Sequence, residues 1–320
     1  MLRFLVPSMR SLAPLALALL VGVPSSTRAQ LPDPATVKPV QLFTVPSYCE
    51  GVVFDKEGRG YVSWGKSITR FTLDGKNEVW AETGAPNGHK ILKDGTHIVC
   101  DASQHAMLHL SADGKLLPHA SSECDGKPLR GPNDLTLDTP NGGFYFTDPG
   151  DSSKKNPIGT VHYVDSKGKT HLVDGGYAFS NGIVLTPDGK KLYVAESQYN
   201  RVWVYDVTGP GKVANKTLFA DLPKKDEAAG QIDNQPDGMC LDAAGNLYVA
   251  HYGMRQVQVL DPKGKLVARY AGGNVTTSNV AFGGPDRDQL FVTGAIGDEK
   301  NVGGIFRLDL KVPGLRVLPQ

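Results

Sequence analysis

Residues 180–196 read Ser-Asn-Gly-Ile-Val-Leu-Thr-Pro-Asp-Gly-Lys-Lys-Leu-Tyr-Val-Ala-Glu. Two apolar runs flank a Pro-Asp-Gly turn, a pattern typical of a β-hairpin. The pattern recurs along the chain, each time opening on an acid or an amide and continuing after the turn into a strand rich in aromatic and β-branched residues. The segments are spaced by 37, 46, 48, 56 and 42 residues, beginning at Glu50, Asn87, Asn133, Asn181, Asp237 and Asn279. Repeats of this length predict an all-β fold, a six-bladed β-propeller with four-stranded blades.

The opening residues of the repeats are candidates for a binding ring. The first strand of each blade lines the central channel of a propeller, so these six side chains would surround one mouth. Glu50 and Asp237 supply carboxylates and the others supply amides, an oxygen-only set that suits a hard cation such as Ca²⁺. Asn-Gly and Asp-Gly are also common turn dipeptides. That alternative explains single repeats better than the set, because each repeat has its own hairpin turn further along.

The second strand of each blade returns to the same mouth, because it runs antiparallel to the first. The residues at these strand ends are Trp64, Asp101, Asp148, Glu196 and His251, with Tyr252 beside the last. We expect Asp148 and Glu196 to contact substrate, and His251 is a candidate proton shuttle. The alternative for each is a solvated strand end or a structural cap.

Composition restricts the function classes. The chain has 320 residues, of which 40% are hydrophobic and 21% charged, with a formal net charge of +1. This balance indicates a globular protein without a nucleic-acid surface and with a small-molecule partner. The four cysteines are too few for a disulfide scaffold, although one bridge would fit an oxidising compartment. The sequence contains no GxSxG elbow, GxGxxG fingerprint, P-loop or HExxH motif.

The N-terminal residues 1–29 resemble a signal peptide. Arg3 and Arg10 precede a mostly apolar run from Leu12 to Val23 that is too short to span a bilayer, and Thr27-Arg28-Ala29 offers a cleavage site. A retained membrane anchor is the alternative, and either interpretation predicts an exported protein, periplasmic or secreted, with no other membrane association. A Pro-containing linker over residues 30–39 and a propeller domain over residues 40–320 complete the predicted organisation.

Four stretches resemble the senescence marker protein/gluconolactonase family of calcium-dependent six-bladed propellers. They are Leu-Arg-Gly-Pro-Asn-Asp-Leu-Thr-Leu-Asp at 129–138, Ser-Asn-Gly-Ile-Val-Leu at 180–185, Pro-Asp-Gly-Met-Cys-Leu-Asp at 236–242 and Ser-Asn-Val-Ala-Phe-Gly-Gly at 278–284. The resemblance covers nearly all of the chain after the signal segment, and the stretches occur in the family's order.

The resemblance implies a metal site and a substrate site. Carried over by position, the metal ligands are Glu50, Asn181 and Asp237, and Asn133 either binds the metal or holds a metal-bound water or substrate. The family also has a substrate-binding Arg two places before this Asn. Here that place is Gly131, and Arg130, one position earlier, is the candidate substrate-binding residue. One divalent metal is implied, with Ca²⁺ first and Zn²⁺, Mg²⁺ or Mn²⁺ as alternatives.

The predicted function is metal-dependent hydrolysis of small lactones, with the metal polarising the carbonyl oxygen for attack by water. Asp237 is the candidate base or nucleophile. A carboxylate bound to a cation is a weak base, however, so His251, Glu196 or a metal-bound water are alternative activators. The competing functions are phosphotriester or aryl-ester hydrolysis, and non-catalytic binding by an exported propeller.

Overall fold

The computed structural model describes residues 1–2, 30–225, 234–297 and 302–315. The predicted signal segment therefore falls almost entirely outside the described residues. Strands are separated by tight turns, and one 3₁₀ turn occurs at Ser197–Tyr199. The strands are β1 Val40–Val45, β2 Cys49–Phe54, β3 Gly60–Trp64, β4 Ser67–Phe71, β5 Asn77–Glu82, β6 Pro86–Ile91, β7 His97–Asp101, β8 Ala106–Leu110, β9 Glu123–Cys124, β10 Lys127–Pro128, β11 Leu135–Asp138, β12 Gly143–Asp148, β13 Gly159–Val164, β14 Thr170–Tyr177, β15 Ser180–Leu185, β16 Lys191–Glu196, β17 Arg201–Gly209, β18 Lys212–Asp221, β19 Gln235–Leu241, β20 Leu247–Tyr252, β21 Gln256–Leu260, β22 Leu266–Ala271, β23 Asn279–Gly283, β24 Gln289–Ala295 and β25 Gly303–Asp309.

The described strands form the predicted six-bladed β-propeller. Each blade is an antiparallel sheet: β2 to β5, β6 to β8, β11 to β14, β15 to β18, β19 to β22, and β23 to β25 with β1. The first strands of neighbouring blades contact one another and enclose the channel. Blade 2 departs from the four-strand pattern, because isolated bridges at Ser121 and Leu116 take the place of a continuous outer strand.

The ring closes through the sixth blade. Strand β1 pairs antiparallel with β25, and Val45 lies opposite Gly303. The blade therefore combines its outer strand from the beginning of the domain with three strands from the end.

Apolar packing lies between blades. Each hydrophobic cluster among the described residues joins the facing sides of two neighbouring blades. Between blades 3 and 4, for example, Tyr145 packs with Ile183 and Val194. Burial of these faces is what fixes the angle between blades and hence the width of the channel.

Two details add to the sequence-based interpretation. The segment 30–39 was predicted as a linker, yet Val37 packs in the cluster of blades 5 and 6, and the Tyr270 hydroxyl donates to the Pro32 carbonyl at 2.9 Å. All four cysteines are free thiols. In the part of the chain that is described, no helix is long and apolar enough to span a bilayer.

Candidate active site at one mouth of the channel

A β-bulge positions the ring residue in four of the six blades. The pairing of first and second strands shifts register between Cys49 and Val52, Pro86 and His89, Ser180 and Ile183, and Pro236 and Met239. Each shift contains the acid-Gly or Asn-Gly pair of that blade. A bulge leaves one residue outside the ladder and redirects its side chain. The recurring dipeptide is therefore a bulge rather than the hairpin turn considered as the alternative.

The glycines in these bulges are required by close approach between blades. A Cβ atom at Gly51 would lie 2.3 Å from the Asn87 carbonyl oxygen, and one at Gly182 would lie 2.2 Å from the Asp237 carbonyl oxygen. Neither glycine has a positive φ, so the constraint is space rather than backbone conformation. The absence of side chains allows neighbouring first strands to meet at the mouth.

Three carboxylates lie close together at this mouth: Asp134 and Asp237 are buried, and Glu50 is half-buried. Glu50 and Asp237 each feel the charge of Asp134, and Asp237 also feels that of Glu50. Burial is the main cause that raises the pKa of both Glu50 and Asp237, and the neighbouring negative charges act in the same direction. Among the described residues, no Lys, Arg or His forms an ion pair with any of the three.

Asp134 is a site residue that the sequence analysis missed. It occupies the place that glycine takes in the four bulged blades, directly after Asn133. Only 2% of its surface is exposed, its Oδ1 accepts from the Leu135 amide at 2.8 Å, and burial raises its pKa. An acid in place of the recurring glycine was the available sequence signal.

Hydrogen bonds fix the amide of Asn181. Its Nδ2 donates to the Ser197 hydroxyl at 3.0 Å, and that hydroxyl donates to the Pro236 carbonyl at 2.7 Å. Since the hydroxyl proton is used on Pro236, the Ser197 oxygen accepts, and the amide nitrogen must face it. The Asn181 Oδ1 is thereby left buried and without a hydrogen-bond partner.

Glu50 also has a buried side-chain oxygen without a hydrogen-bond partner. It accepts a hydrogen bond from the Tyr48 hydroxyl, while its Oε2 is buried without a partner. Tyr48 lies edge-on to Tyr252, with ring centroids 6.2 Å apart, so the two rings flank this carboxylate. Buried oxygens that lack a donor are uncommon and indicate a missing ion, ligand or water.

The remaining amides of the ring differ from each other. Asn133 is half-buried and held by its backbone, whose amide donates to the Thr147 carbonyl at 2.9 Å and whose carbonyl accepts from Gly88 at 2.8 Å. Asn279 is buried, and its Oδ1 accepts from the Val280 amide at 2.8 Å. The side-chain oxygen of Asn279 thus accepts a hydrogen bond within its own strand.

Asp148 and Glu196 lie at the predicted strand ends but bind neighbouring loops. The Asp148 carboxylate accepts from the amides of Arg130, at 2.9 Å, and Gly131, at 2.7 Å. Glu196 accepts from Ala178, Arg201 and Trp203, each at 2.8 Å. Both carboxylates are 2% exposed. The structure therefore gives them the capping role that was their alternative, and their oxygens are not directed at the ring.

His251 and Arg130 also lie outside the ring's contacts. The His251 ring is fully buried, its Nε2 is 2.8 Å from Asn200 Oδ1, and burial lowers its pKa to about 3. A group held neutral and enclosed in this way is a poor proton shuttle. The Arg130 guanidinium is exposed and donates to the Ile158 carbonyl. The predicted roles of these two residues have no support in their contacts.

The ring residues fit a divalent cation. Glu50 and Asp237 form no ion pair, Asp134 faces only Lys90, and the orphaned oxygens of Glu50 and Asn181 face no donor. The described residues contain no cluster of three or more His, Cys, Asp or Glu side chains arranged as a metal cage, so a bound cation would also need amide oxygens, such as those of Asn181 and Asn133. Carboxylate and amide oxygens together are the ligands that Ca²⁺ prefers.

Comparison with known proteins places this arrangement in a family. The profile of the SMP-30/gluconolactonase/LRE-like region matches residues 49–296. The chain belongs to this family. The match begins one residue before Glu50 and includes every ring residue, as the resemblance in the sequence implied.

Named relatives in and around the SMP-30/gluconolactonase/LRE-like family include three hydrolases. Diisopropyl-fluorophosphatase of Loligo vulgaris is 28% identical over 67% of this chain and 75% of its own length. Gluconolactonase of Zymomonas mobilis is 29% identical over 62% of this chain and 57% of its own length. Lactonase drp35 of Staphylococcus saprophyticus is 30% identical over 80% of each chain.

Solved structures share the fold of this family member. A gluconolactonase from Xanthomonas campestris has a TM-score of 0.73 and 22% identity, covering 87% of this chain and 91% of its own. A calcium-binding regucalcin from Agrobacterium tumefaciens has the same TM-score and identity, covering 87% of this chain and 96% of its own. Both proteins therefore share the fold of this chain.

Proposed function

We propose that this protein is a metal-dependent hydrolase of small lactones, with its active site at the mouth formed by Glu50, Asn133, Asn181 and Asp237. The observation that carries the proposal is the set of buried, uncompensated oxygens on Glu50 and Asn181 beside Asp237. A binding propeller has no need to bury several carboxylates without a counter-charge. The relatives named as lactonases support the reaction class.

A divalent cation bound by these residues would polarise the lactone carbonyl oxygen as a Lewis acid. Glu50 and Asp237 supply the negative charge that holds it. Ser197 fixes the orientation of the Asn181 amide by accepting a hydrogen bond from its nitrogen, and Tyr48 fixes one side of Glu50. These supports keep the site rigid, so little reorganisation is needed when charge develops on the substrate oxygen.

Asp237 is the residue that accepts a proton from the attacking water. Two other candidates are less suitable. The Glu196 carboxylate already accepts hydrogen bonds from three donors, and the His251 ring is buried away from water. A cation-bound carboxylate is a weak base, but a strained ester needs only modest activation.

The second candidate function is hydrolysis of phosphotriesters. It is favoured by the similarity to diisopropyl-fluorophosphatase, which extends over 243 residues. The same ring would polarise a phosphoryl oxygen in place of a carbonyl oxygen, so the two functions differ in substrate and not in machinery.

The test is a metal analysis of purified protein together with pH-indicator assays on a panel of sugar lactones, aryl esters and a fluorophosphate, before and after chelation. We expect about one divalent ion per chain and lactone turnover that chelation abolishes and Ca²⁺ restores. Asp237→Asn should lower kcat at least 100-fold. A metal-free protein, or unchanged turnover in Asp237→Asn, would falsify the proposal.

We also propose that the protein is exported, from the basic and apolar pattern of residues 1–29. Expression with a C-terminal tag in a bacterium and mass analysis of the product tests this. A mature N-terminus near Gln30 in the extracytoplasmic fraction supports export, and an intact chain in the cytosol contradicts it.

A further inference from the structure

A cavity lies at the opposite end of the channel from the ring. It has a volume of about 160 Å³ and is formed where the first strands of the blades leave the channel. Its walls are mostly apolar and include Phe54, Ile183, Leu185, Met239, Leu241 and Phe282. These residues follow the ring residues on the same strands, so this site is separate from the candidate active site.

Lys90 introduces a charge into this apolar cavity. It lies on β6, is half-buried and lines the wall. Among the described residues its ammonium forms no ion pair, since no carboxylate lies within 4.0 Å of it. The ammonium offsets part of the effect of burial on the thiol pKa of Cys240, another wall residue, which places this charge beside the cavity.

The acidic groups nearest to the cavity form no ion pair with Lys90. Asp55 lines the rim, but its carboxylate accepts from the Arg59 Nε at 2.6 Å and from the Tyr61 hydroxyl at 3.1 Å. Asp134 faces Lys90 from inside the channel and offsets part of its charge, but it lies beyond ion-pair distance. Among the described residues, Lys90 therefore has no carboxylate in direct contact.

Volume and chemistry together define the ligand class. A cavity of about 150 Å³ accommodates one benzene ring, and small-molecule sites combine apolar walls with a few polar groups that fix orientation. An ammonium inside such walls is stabilised by an anion that brings its own apolar surface. We propose that this cavity binds a small monocarboxylate carrying an aromatic or branched apolar group, with its carboxylate on Lys90.

The proposal is tested by calorimetric titration with benzoate, with benzyl alcohol as the neutral probe of the same size. We expect one benzoate per chain, bound at least 10-fold more tightly than benzyl alcohol. Lys90→Met should weaken benzoate at least 10-fold and change benzyl alcohol less than twofold. Lys93→Met, which removes an exposed lysine from the turn after the same strand, is the matched control and should bind like wild type.

A second variant locates the ligand. Ala281 lines the cavity, and Ala281→Phe fills it, so binding of both probes should be lost. If this variant does not fold, benzoate should instead slow alkylation of Cys240 by N-ethylmaleimide at least threefold in wild type, because the other cysteines are buried. Equal affinity for the two probes, full benzoate binding in Lys90→Met, or binding that survives Ala281→Phe overturns the proposal.

Discussion

At the scale of single residues, the hydrogen bonds of one amide determine which of its atoms is left for a cation. Ser197 and Asp237 accept hydrogen bonds from the Asn181 nitrogen, so the side-chain oxygen is the atom without a partner. A flipped amide would present two N–H donors to the ring, which repel a cation. Ser197 is therefore a positioning residue, although it contributes no ligand.

Ser197→Ala tests this role. The substitution frees the Asn181 amide and leaves the Pro236 carbonyl without its donor, so we expect the Kd for Ca²⁺ to rise about 10- to 100-fold. Calcium calorimetry measures the effect, and Ser166→Ala, at an exposed turn of blade 3, is the control. Unchanged calcium affinity in Ser197→Ala would show that the amide holds its orientation by other contacts.

Glu196→Gln tests whether the Glu196 carboxylate has a structural role or binds substrate. Loss of the charge weakens the bonds from Arg201 and Trp203, so the free energy of unfolding should fall by about 2 kcal/mol. KM and kcat of the folded protein should stay within twofold of wild type. A 10-fold higher KM with unchanged stability would instead restore the role predicted from the sequence.

At the scale of elements, the bulge in the first strand couples blade packing to the site. It turns the ring residue into the channel, and the glycine that follows lets the next blade approach. The site is therefore sensitive to side chains that never touch a ligand.

Gly182→Ala should show this sensitivity. Its Cβ would lie 2.2 Å from the Asp237 carbonyl oxygen, so the two strands must separate, at a cost of about 1–3 kcal/mol, and metal affinity should fall with them. Gly209→Ala is the matched control, because that position has ordinary φ and no atom within 4 Å of a Cβ. Urea unfolding measures the stability of both variants, and calcium titration measures their metal affinity. Equal stability and equal affinity in the two variants would contradict the coupling between blade packing and the site.

The sequence predicted the blades and the ring because both follow from a period that repeats along the chain. It could not predict the bulges, since a register shift depends on pairing with another strand. The roles of Asp148, Glu196 and His251 stay predictions for a related reason. Strand position brings these residues to the predicted mouth, but polar groups of the neighbouring loops decide where their side chains turn.

At the scale of the whole molecule, buried histidines link stability to pH. His89 Nε2 and His97 Nδ1 lie 2.7 Å apart between blades 1 and 2, packed against Tyr61 and Trp80. Burial lowers the pKa of His97 to about 4 and that of His89 well below its usual range. Because the folded pKa lies below the unfolded value of about 6.5, the unfolded chain binds more protons as the pH falls.

Stability should therefore decrease from pH 7 to pH 5. His89→Gln removes one of the two imidazoles. The free energy of unfolding of this variant should therefore fall by about 2 kcal/mol less than that of wild type between pH 7 and pH 5. Urea midpoints of wild type and variant at both pH values measure this difference. The ring carboxylates contribute equally to both proteins, so their effect cancels. His119→Gln, at an exposed histidine, should match wild type. Parallel losses in all three proteins would rule out this pair as the cause.

The pairing of β1 with β25 also governs the order of events during synthesis. Val45 reaches its partner Gly303 only after all intervening blades have been made. Closing contacts between such distant parts of a chain is slow, because the entropy of the loop is lost before the contact forms. A nascent chain can pack neighbouring blades against one another as they emerge, but the ribosome must release almost the entire domain before the circle is complete.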